Sequence, residues 1–205
     1  MIEREAGRPL VVAIAGPNGA GKSTLYETQL KPLGLRFVNA DNIARQLDLE
    51  AYAAAGAADV ARRELFLQRA SFVFETVFSD PVGDKVAFLK EMEAAGYRVI
   101  LCFIGISGAD VSEQRVSMRV SKGGHDVPQG KIRERYGRTL ANLALAMREL
   151  AEVRVFDNEE LEYPYRLVAR SEGGKVVESV EPVPEWVRGV LPESVASLEA
   201  RMPKQ

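Results

Sequence analysis

An eight-residue string near the start of the chain restricts its fold more than any other feature. Residues 16–23 read Gly-Pro-Asn-Gly-Ala-Gly-Lys-Ser and match the pattern G-x-x-x-x-G-K-[ST] at every position. An apolar run, residues 10–15, precedes the string, and a segment able to form a helix follows it. A glycine-rich turn in this setting presents backbone N–H groups to an anion. The sequence therefore predicts a phosphate-binding loop, against the alternative of a chance glycine-rich turn.

The loop carries the predicted nucleotide contacts. Its glycines let the backbone curl, and Lys22 supplies a point charge for the β- and γ-phosphates of ATP. Ser23, or Thr24 beside it, completes the coordination of Mg²⁺ or contacts the α-phosphate. The residues predicted to bind the nucleotide are Gly16, Pro17, Asn18, Gly19, Ala20, Gly21, Lys22, Ser23 and Thr24. ATP and Mg²⁺ are the predicted cofactors.

Short apolar runs alternate with segments of helical periodicity, which is the pattern of a parallel sheet covered on both faces. The predicted strands are 10–15, 36–40, 72–74, 98–104 and 153–156. One helix is expected to open near Ser79 or Asp80, with Pro81 in its first turn, and to end before Gly96. Another spans 129–151. These elements predict an α/β fold of the P-loop NTPase type, with a parallel five-stranded core sheet and helices on both faces.

The last quarter of the chain has a different pattern. Residues 168–170 and 175–180 flank a turn with two glycines and predict a C-terminal β-hairpin, interpreted as an appendage to the core sheet. An irregular tail follows from residue 181, with a short helix near 193–201. The predicted organisation is one P-loop kinase domain over residues 1–205, with the core at 9–160 and the hairpin and tail at 161–205.

Composition argues against some classes of partner. The chain of 205 residues has a formal net charge of −2 and a pI near 5.7, so no overall positive field attracts nucleic acid or an anionic membrane. Its single cysteine, Cys102, lies in an apolar run and favours a reducing compartment. No stretch reaches the roughly 18 apolar residues of a membrane helix. We therefore predict a cytoplasmic protein that binds neither nucleic acid nor membranes.

Several classes of protein use a phosphate-binding loop, and other strings discriminate among them. A GTPase is expected to carry Asn-Lys-x-Asp for guanine, and an ABC-type ATPase to carry Leu-Ser-Gly-Gly-Gln; the sequence contains neither. The string at residues 80–83, Asp-Pro-Val-Gly, matches a GTPase switch pattern only over four residues. The sequence favours a phosphotransferase that acts on a small molecule.

Acidic residues follow two of the predicted strands, where an open parallel sheet binds its ligands. Asp41 comes after the second strand and is predicted to be the catalytic base, against the alternative of a helix N-cap. Glu75 and Thr76 come after the third strand and are predicted to hold the substrate, as is Asn39. Glu75 is also predicted, with Ser23, to serve the metal; its alternative is a solvated strand end.

A basic segment is predicted to close over the nucleotide. Arg115 and Arg119 are spaced i,i+4 on a helix over residues 110–121, so both guanidinium groups can reach one target. They are predicted to neutralise charge on the transferred phosphoryl group, against the alternative of a solvated charged face. His125 follows and is assigned to the substrate, or to capping the next turn. Asn158, after the fifth strand, is predicted to touch the adenine.

These residues together resemble the zeta-toxin family of P-loop kinases, in particular its compact bacterial members. The resemblance covers about residues 10–158 in the family's order. The strings that carry it are 16–24, 37–41, 74–76 with Ser79, 115–120, 123–128, 135–136 with Arg138, and 142–143.

The resemblance implies a fold near the nucleoside-monophosphate kinases and chloramphenicol phosphotransferases. It also implies phosphorylation of the 3′-hydroxyl of the sugar in UDP-N-acetylglucosamine, with Asp41 as the base and Glu75 and Thr76 as substrate contacts. Arg115, with Arg119 or a nearby basic residue, is the implied phosphate clamp. A neutralising antitoxin is the protein partner that the resemblance suggests. At the lid, residues 123–125 replace a longer, arginine-bearing segment of the larger toxins.

Two rival functions stay open from the sequence. One is another metabolite or antibiotic kinase on the same scaffold. The other is a nucleotide-binding switch or an ATPase that lacks a small acceptor.

Overall fold

A seven-stranded sheet lies at the centre of the chain, whose computed structural model describes residue 2 and residues 5–121, 127–160 and 162–192. The strand order is β2-β3-β1-β4-β5-β6-β7. The first five strands are parallel, and β6 and β7 continue the sheet antiparallel to β5. The strands are β1 Leu10–Ala15, β2 Arg36–Val38, β3 Phe72–Thr76, β4 Arg98–Gly105, β5 Glu152–Asp157, β6 Arg166–Glu172 and β7 Lys175–Ser179.

Helices cover both faces of the sheet. The α-helices are α1 Lys22–Leu25, α2 Ala40–Leu47, α3 Ala51–Leu67, α4 Asp84–Ala94, α5 Ala109–Val120, α6 Gln129–Glu149 and α7 Glu185–Arg188. A π-helical segment, Tyr26–Leu30, continues α1. Because alternate residues of a strand point to opposite faces, the uniformly buried β1 supplies two separate apolar layers. One layer packs against α3, α4 and α6, and the other against α1 and the π-helical segment.

The fold predicted from the sequence is confirmed in its core. Each of the five predicted core strands is present, and the first matches its predicted bounds of 10–15. The carboxyl ends of the parallel strands meet at one edge of the sheet, where the phosphate-binding loop follows β1.

One helix begins later than predicted. The prediction placed its start near Ser79 or Asp80, but α4 begins at Asp84, after Gly83 in a left-handed conformation. The Asn142 amide on α6 donates hydrogen bonds to the backbone carbonyls of Phe78 and Asp80, both at 2.9 Å. These bonds hold the preceding segment in a turn, so helical hydrogen bonding starts only after it.

The predicted C-terminal hairpin is present, but its description as an appendage is wrong. Strand β6 pairs with β5 along its length, so the hairpin extends the core sheet. The tail is also more ordered than predicted, because α7 packs Trp186 and Val187 into the core. Trp186 lies against Gly105, and its indole Nε1 donates a 3.0 Å hydrogen bond to Asp157. The helix predicted near 193–201 lies outside the described residues.

Two further observations concern the predictions from composition. Cys102 is buried in β4, and desolvation raises the pKa of its thiol to about 12. Among the helices in the described part of the chain, none combines the length and apolar character that a bilayer crossing requires.

Candidate active site

The phosphate-binding loop lies between β1 and α1, and two of its glycines are required by their surroundings. Gly16 has φ 143°, and a Cβ atom there would lie 2.0 Å from the carbonyl oxygen of Ile104. Gly21 has φ 94°, and its Cβ would lie 2.6 Å from the Asn158 amide nitrogen. Both positions combine a backbone conformation that disfavours side chains with a lack of space. The loop therefore has this shape only with glycine at these two positions.

Side chains from other elements bind the carbonyl oxygens of the loop. The Asn158 amide donates to the carbonyl of Ala20 at 2.8 Å, and the Tyr165 hydroxyl donates to that of Gly21 at 2.9 Å. The Ser112 hydroxyl, on α5, donates to the carbonyl of Asn18. A trans peptide directs its N–H roughly opposite to its C=O. With these carbonyls held from outside, the N–H groups at the start of α1 are available to an anion, as a phosphate cradle requires.

Lys22 is buried at the end of the loop, beside a carboxylate. Its ammonium donates to the carbonyl of Pro17 at 2.9 Å and lies 3.9 Å from Glu75 Oε1. Burial lowers the pKa of Lys22, whereas the nearby carboxylates of Glu75 and Asp41 act in the opposite direction. The structure thus brings together Lys22, Asp41 and Glu75, which the sequence analysis assigned to the active site.

Glu75, at the end of β3, accepts hydrogen bonds from two side chains. Its Oε2 accepts a 2.8 Å hydrogen bond from the Ser23 hydroxyl and a 2.7 Å bond from the Asn39 amide. The alternative of a solvated strand end does not describe this carboxylate, whose side chain is 12% exposed. Thr76, the next residue, accepts a hydrogen bond from the amide of Phe78 and lines the adjacent cavity.

The same group of residues fits a magnesium ion. Mg²⁺ prefers hard oxygen ligands and keeps several waters while it bridges one or two protein groups to substrate phosphates. The Ser23 hydroxyl and the Glu75 carboxylate supply such oxygens beside the loop, 2.8 Å from each other. The described residues contain no cluster of three metal-binding side chains that would form a closed cage. Ser23 and Glu75 are therefore suited to a metal held chiefly by the nucleotide.

Asp41 does not cap its helix. Helix α2 begins at Ala40, and the residue before it, Asn39, is the N-cap, accepting a 3.0 Å hydrogen bond from the amide of Asn42. The Asp41 side chain is therefore not committed to this local role. It lines a cavity of about 680 Å³ on the α2 side and a second cavity of about 290 Å³ that also contains Lys22 and Glu75.

The two arginines of the predicted lid helix lie in different surroundings. Arg115 donates to the backbone carbonyls of Asn158 and Glu159, both at 2.8 Å, and so connects α5 to the segment after β5. Arg119 lines both cavities together with Asp41. Their roles as phosphate clamps stay predictions. His125 lies outside the described residues.

Sequence reasoning missed two groups of residues at this site. Ser112 and Tyr165 hold the phosphate-binding loop from positions 94 and 144 residues away from their partners. The second group lines the smaller cavity and comprises Asp59, Arg62 and Lys85. No local motif marks any of them. Only the spacing of 59 and 62, three residues apart on α3, hints that both face one neighbour.

Comparisons with known proteins are consistent with this geometry. No protein-family model matches the sequence. An uncharacterized protein of Haemophilus influenzae is 28% identical over 127 residues, which cover 59% of this chain and 88% of that protein.

Solved structures show the same fold at low sequence identity. A chain of the AvrRxo1-ORF1:AvrRxo1-ORF2 complex with ATP superposes with a TM-score of 0.60 and 18% identity, over 97% of this chain and 73% of that chain. In the complex with sulphate ions, this chain covers 64% of the matched chain's length. A structure from the PezAT chromosomal toxin-antitoxin system of Streptococcus pneumoniae gives a TM-score of 0.55 and 13% identity, over 93% and 80% of the two chains. These matches confirm the fold that the resemblance to the zeta-toxin kinases implies.

Proposed function

We propose that this chain is an ATP-dependent kinase of the zeta-toxin type, which transfers the γ-phosphoryl group of ATP to a hydroxyl of a small acceptor. The observation that carries the proposal is the meeting of Lys22, Asp41 and Glu75 around the cavity beside the phosphate-binding loop. A carboxylate that faces a cavity beside the loop is placed to take the proton of a hydroxyl bound there. UDP-N-acetylglucosamine is the first acceptor to test, because the resemblance implies it.

Each residue has a distinct role in the proposed reaction. The loop amides and Lys22 bind the β- and γ-phosphates, and Asp41 accepts the proton of the acceptor hydroxyl. The acceptor oxygen forms a bond to the γ-phosphorus, the bond from that phosphorus to the β,γ-bridging oxygen breaks, and ADP leaves. Ser23 and Glu75 would hold Mg²⁺, which supplies positive charge to the phosphate oxygens. Arg119, beside Asp41, is the residue we assign to the transferred phosphoryl group.

The proposal extends to partners and location. A single P-loop kinase domain in the cytoplasm, with the acceptor and a protein antitoxin as partners, is consistent with the toxin-antitoxin system named for one structural neighbour. Co-expression with the product of the adjacent gene, followed by co-purification, tests for the antitoxin. A chain that purifies alone and does not inhibit growth on induction would contradict this part of the proposal.

One assay separates the proposed function from its rivals. The full chain is incubated with Mg²⁺ and ATP, with and without UDP-N-acetylglucosamine and a panel of nucleotides, sugars and aminoglycosides. ADP is followed by a coupled assay and the acceptors by mass spectrometry. We expect UDP-N-acetylglucosamine to gain about 80 Da, the mass of one phosphoryl group. The same gain on another acceptor supports the rival kinase, and ADP release that no acceptor changes supports the ATPase. No calorimetric heat with ATP and Mg²⁺ would overturn the proposal.

A further inference from the structure

The smaller cavity has a second charged group besides the one that faces the nucleotide. Lys22, Asp41 and Glu75 line it next to the phosphate-binding loop, and residues of α3 and α4 line it as well. Those residues are Asp59, Arg62 and Lys85. The proposed transfer of phosphate accounts for the first group and leaves the second without a role.

Arg62 is a buried cation with incomplete hydrogen bonding. The residue is 4% exposed, and its guanidinium carbon lies 5.1 Å from the centre of the Phe74 ring, which fixes the orientation of the side chain. Its Nη2 donates to Asp59, but its Nε is buried and has no hydrogen-bond partner. A buried charged group is normally paired and fully hydrogen-bonded because its desolvation is costly. The Asp59 carboxylate is therefore the group that balances the buried charge of Arg62.

One carboxylate serves two cations at this end of the cavity. Lys85 donates a 2.6 Å hydrogen bond to Asp59 Oδ1, the same oxygen to which Arg62 donates. Two positive charges thus share one negative charge. The Asp59 side chain is 52% exposed, whereas the side chains of Arg62 and Lys85 are 5% and 22% exposed. The cations are fixed in the wall, and the carboxylate is the more accessible member.

Asp80 also lines this cavity. Asp80 Oδ1 is buried without a hydrogen-bond partner, while its Oδ2 lies 3.3 Å from the Asn142 amide. Because Arg62 Nε and Asp80 Oδ1 have almost no exposed surface, a ligand would reach Arg62 through Nη2, the atom that donates to Asp59.

We propose that Arg62 and Lys85 form an anion subsite for the acceptor, in which a phosphate or carboxylate group of the acceptor takes the place of the Asp59 carboxylate. The inference rests on the proposed function, because it assumes that the cavity beside Asp41 receives the acceptor. It assigns the acceptor to the class of hydroxyl compounds that carry their own anionic group. Until that group arrives, the Asp59 carboxylate neutralises part of the charge of the two cations.

The test is a titration of anions into the full chain with its phosphate-binding loop already occupied. Mg²⁺ and a non-hydrolysable ATP analogue are added to saturation, and inorganic phosphate, pyrophosphate or succinate is then titrated by calorimetry. We expect the wild-type chain to bind at least one of these anions. Tighter binding of phosphate or pyrophosphate identifies a phosphorylated acceptor, and tighter binding of succinate identifies a carboxylate.

Two variants should change this affinity in opposite directions. Lys85→Met removes a charge-assisted hydrogen bond and should weaken anion binding about tenfold. Asp59→Asn removes the competing carboxylate and should strengthen binding about threefold to tenfold. Matched controls on the same helices are Arg63→Gln and Lys90→Met, whose side chains bind Glu91 and the carbonyl of Glu149 outside the cavity. Neither control should alter the affinity.

The outcomes separate this inference from the proposed function. Absence of anion binding to the wild-type chain, or equal affinity in the Lys85→Met chain, would overturn the subsite. Weaker binding by a folded Asp59→Asn chain would also overturn it, because a purely structural carboxylate gives that sign; thermal melting establishes that the chain is folded. If the ATP analogue does not bind, the proposed function fails, and the same anion titration on the Lys22→Ala chain still tests the subsite.

Discussion

The nucleotide end and the proposed acceptor end of the active site differ in the kind of group that holds their polar atoms. Around the phosphate-binding loop, Ser112, Asn158 and Tyr165 each donate a hydrogen bond to a loop carbonyl. Each end also has a buried atom without a hydrogen-bond partner, such as Asn18 Oδ1 in the loop and Arg62 Nε in the cavity. In the cavity, Arg62 and Lys85 both donate to one oxygen of the Asp59 carboxylate. Those three loop carbonyls are thus held by neutral donors, whereas the two cations are held by a carboxylate, whose place we propose that an anionic ligand takes.

This difference reflects the chemistry of the two ligands. A triphosphate is recognised by backbone N–H groups, which act at fixed positions once the carbonyls are held. An acceptor is recognised by side chains, and a side chain that is fully satisfied within the protein has nothing left to offer a substrate. The predictions below test the contrast, from the largest expected effect to the smallest.

Replacement of Lys22 by alanine should have the largest effect. The ammonium is the buried cation at the end of the loop, 3.9 Å from the Glu75 carboxylate, and its removal leaves the transferred phosphate without its main positive charge. We expect phosphate transfer to fall about a thousandfold, as for loss of a preorganised electrostatic contact in an active site. Initial rates of ADP formation measure it. Lys31→Ala, which removes an exposed ion pair with Glu27, is the control and should leave the rate unchanged. A rate within tenfold of wild type would contradict the role of Lys22.

Asp41→Asn should lower the rate without loosening the fold. Because Asn39 caps α2, the Asp41 carboxylate is not needed for that role, and its replacement removes the proposed general base. We expect kcat to fall about a hundredfold to ten-thousandfold. ATP affinity and the melting temperature should stay close to their wild-type values. Asn39→Ala, by contrast, removes the cap of α2 and should lower the free energy of unfolding by about 1 kcal/mol. An Asp41→Asn chain with a lower melting temperature and a normal kcat would contradict the catalytic role and favour a structural role for Asp41 in its helix.

The shape of the phosphate-binding loop is predictable from the sequence because its signal is local. A strand, a glycine-rich turn and a lysine adjoin one another in the chain, so their geometry follows from backbone constraints that neighbouring residues impose. Gly16 and Gly21 show this directly, since each excludes any side chain in its place. The five parallel strands follow for a similar reason, since buried runs of apolar residues have few other arrangements.

The acceptor end is not predictable in this way, because it is assembled from residues that are distant in the sequence. Asp59 and Lys85 lie 26 residues apart on different helices and carry no motif. Arg115 shows the same limit: its spacing from Arg119 predicts a shared helix face, yet its guanidinium binds two backbone carbonyls after β5. The hairpin was predicted as an appendage for a related reason. Strand pairing with β5 depends on long-range register, which turn residues do not encode.

Asn158→Ala should weaken nucleotide binding by an intermediate amount. The amide bridges the carbonyl of Ala20 at 2.8 Å and the backbone N–H of Tyr165 at 3.2 Å, and both groups lose their partner. We expect ATP affinity to fall about tenfold, within the range for leaving buried groups unsatisfied. A titration with ATP and GTP distinguishes this explanation from an adenine contact. Equal losses for both nucleotides support the loop-holding role, and a loss confined to ATP supports the adenine contact. Gln68→Ala, which removes an exposed bond to Glu64, is the control.

Tyr165→Phe should have the smallest effect and is the most selective test of the contrast. It removes the hydroxyl, which donates to the carbonyl of Gly21 and is also hydrogen-bonded to the Thr24 side chain, and it leaves the ring in place. We expect ATP affinity to fall about threefold, as for the net loss of one neutral hydrogen bond. Burial raises the pKa of the Tyr165 hydroxyl, so the group keeps its proton and its donor role. The ratio of the ATP affinities of the wild-type and Tyr165→Phe chains should therefore not vary between pH 6 and pH 9, about the range below an ordinary tyrosine pKa.

The matched control for this variant is Tyr163→Phe, whose side chain is 68% exposed and which should bind ATP like the wild type. Anion binding at Arg62 and Lys85 should be the same in all three chains, because the hydrogen bonds of Tyr165 to Asn158, Gly21 and Thr24 lie at the loop end of the site. A Tyr165→Phe chain that lost anion binding as well as ATP affinity would show that the two ends are coupled. The loop and the acceptor cavity would then have to be regarded as one site that is ordered by its ligands together.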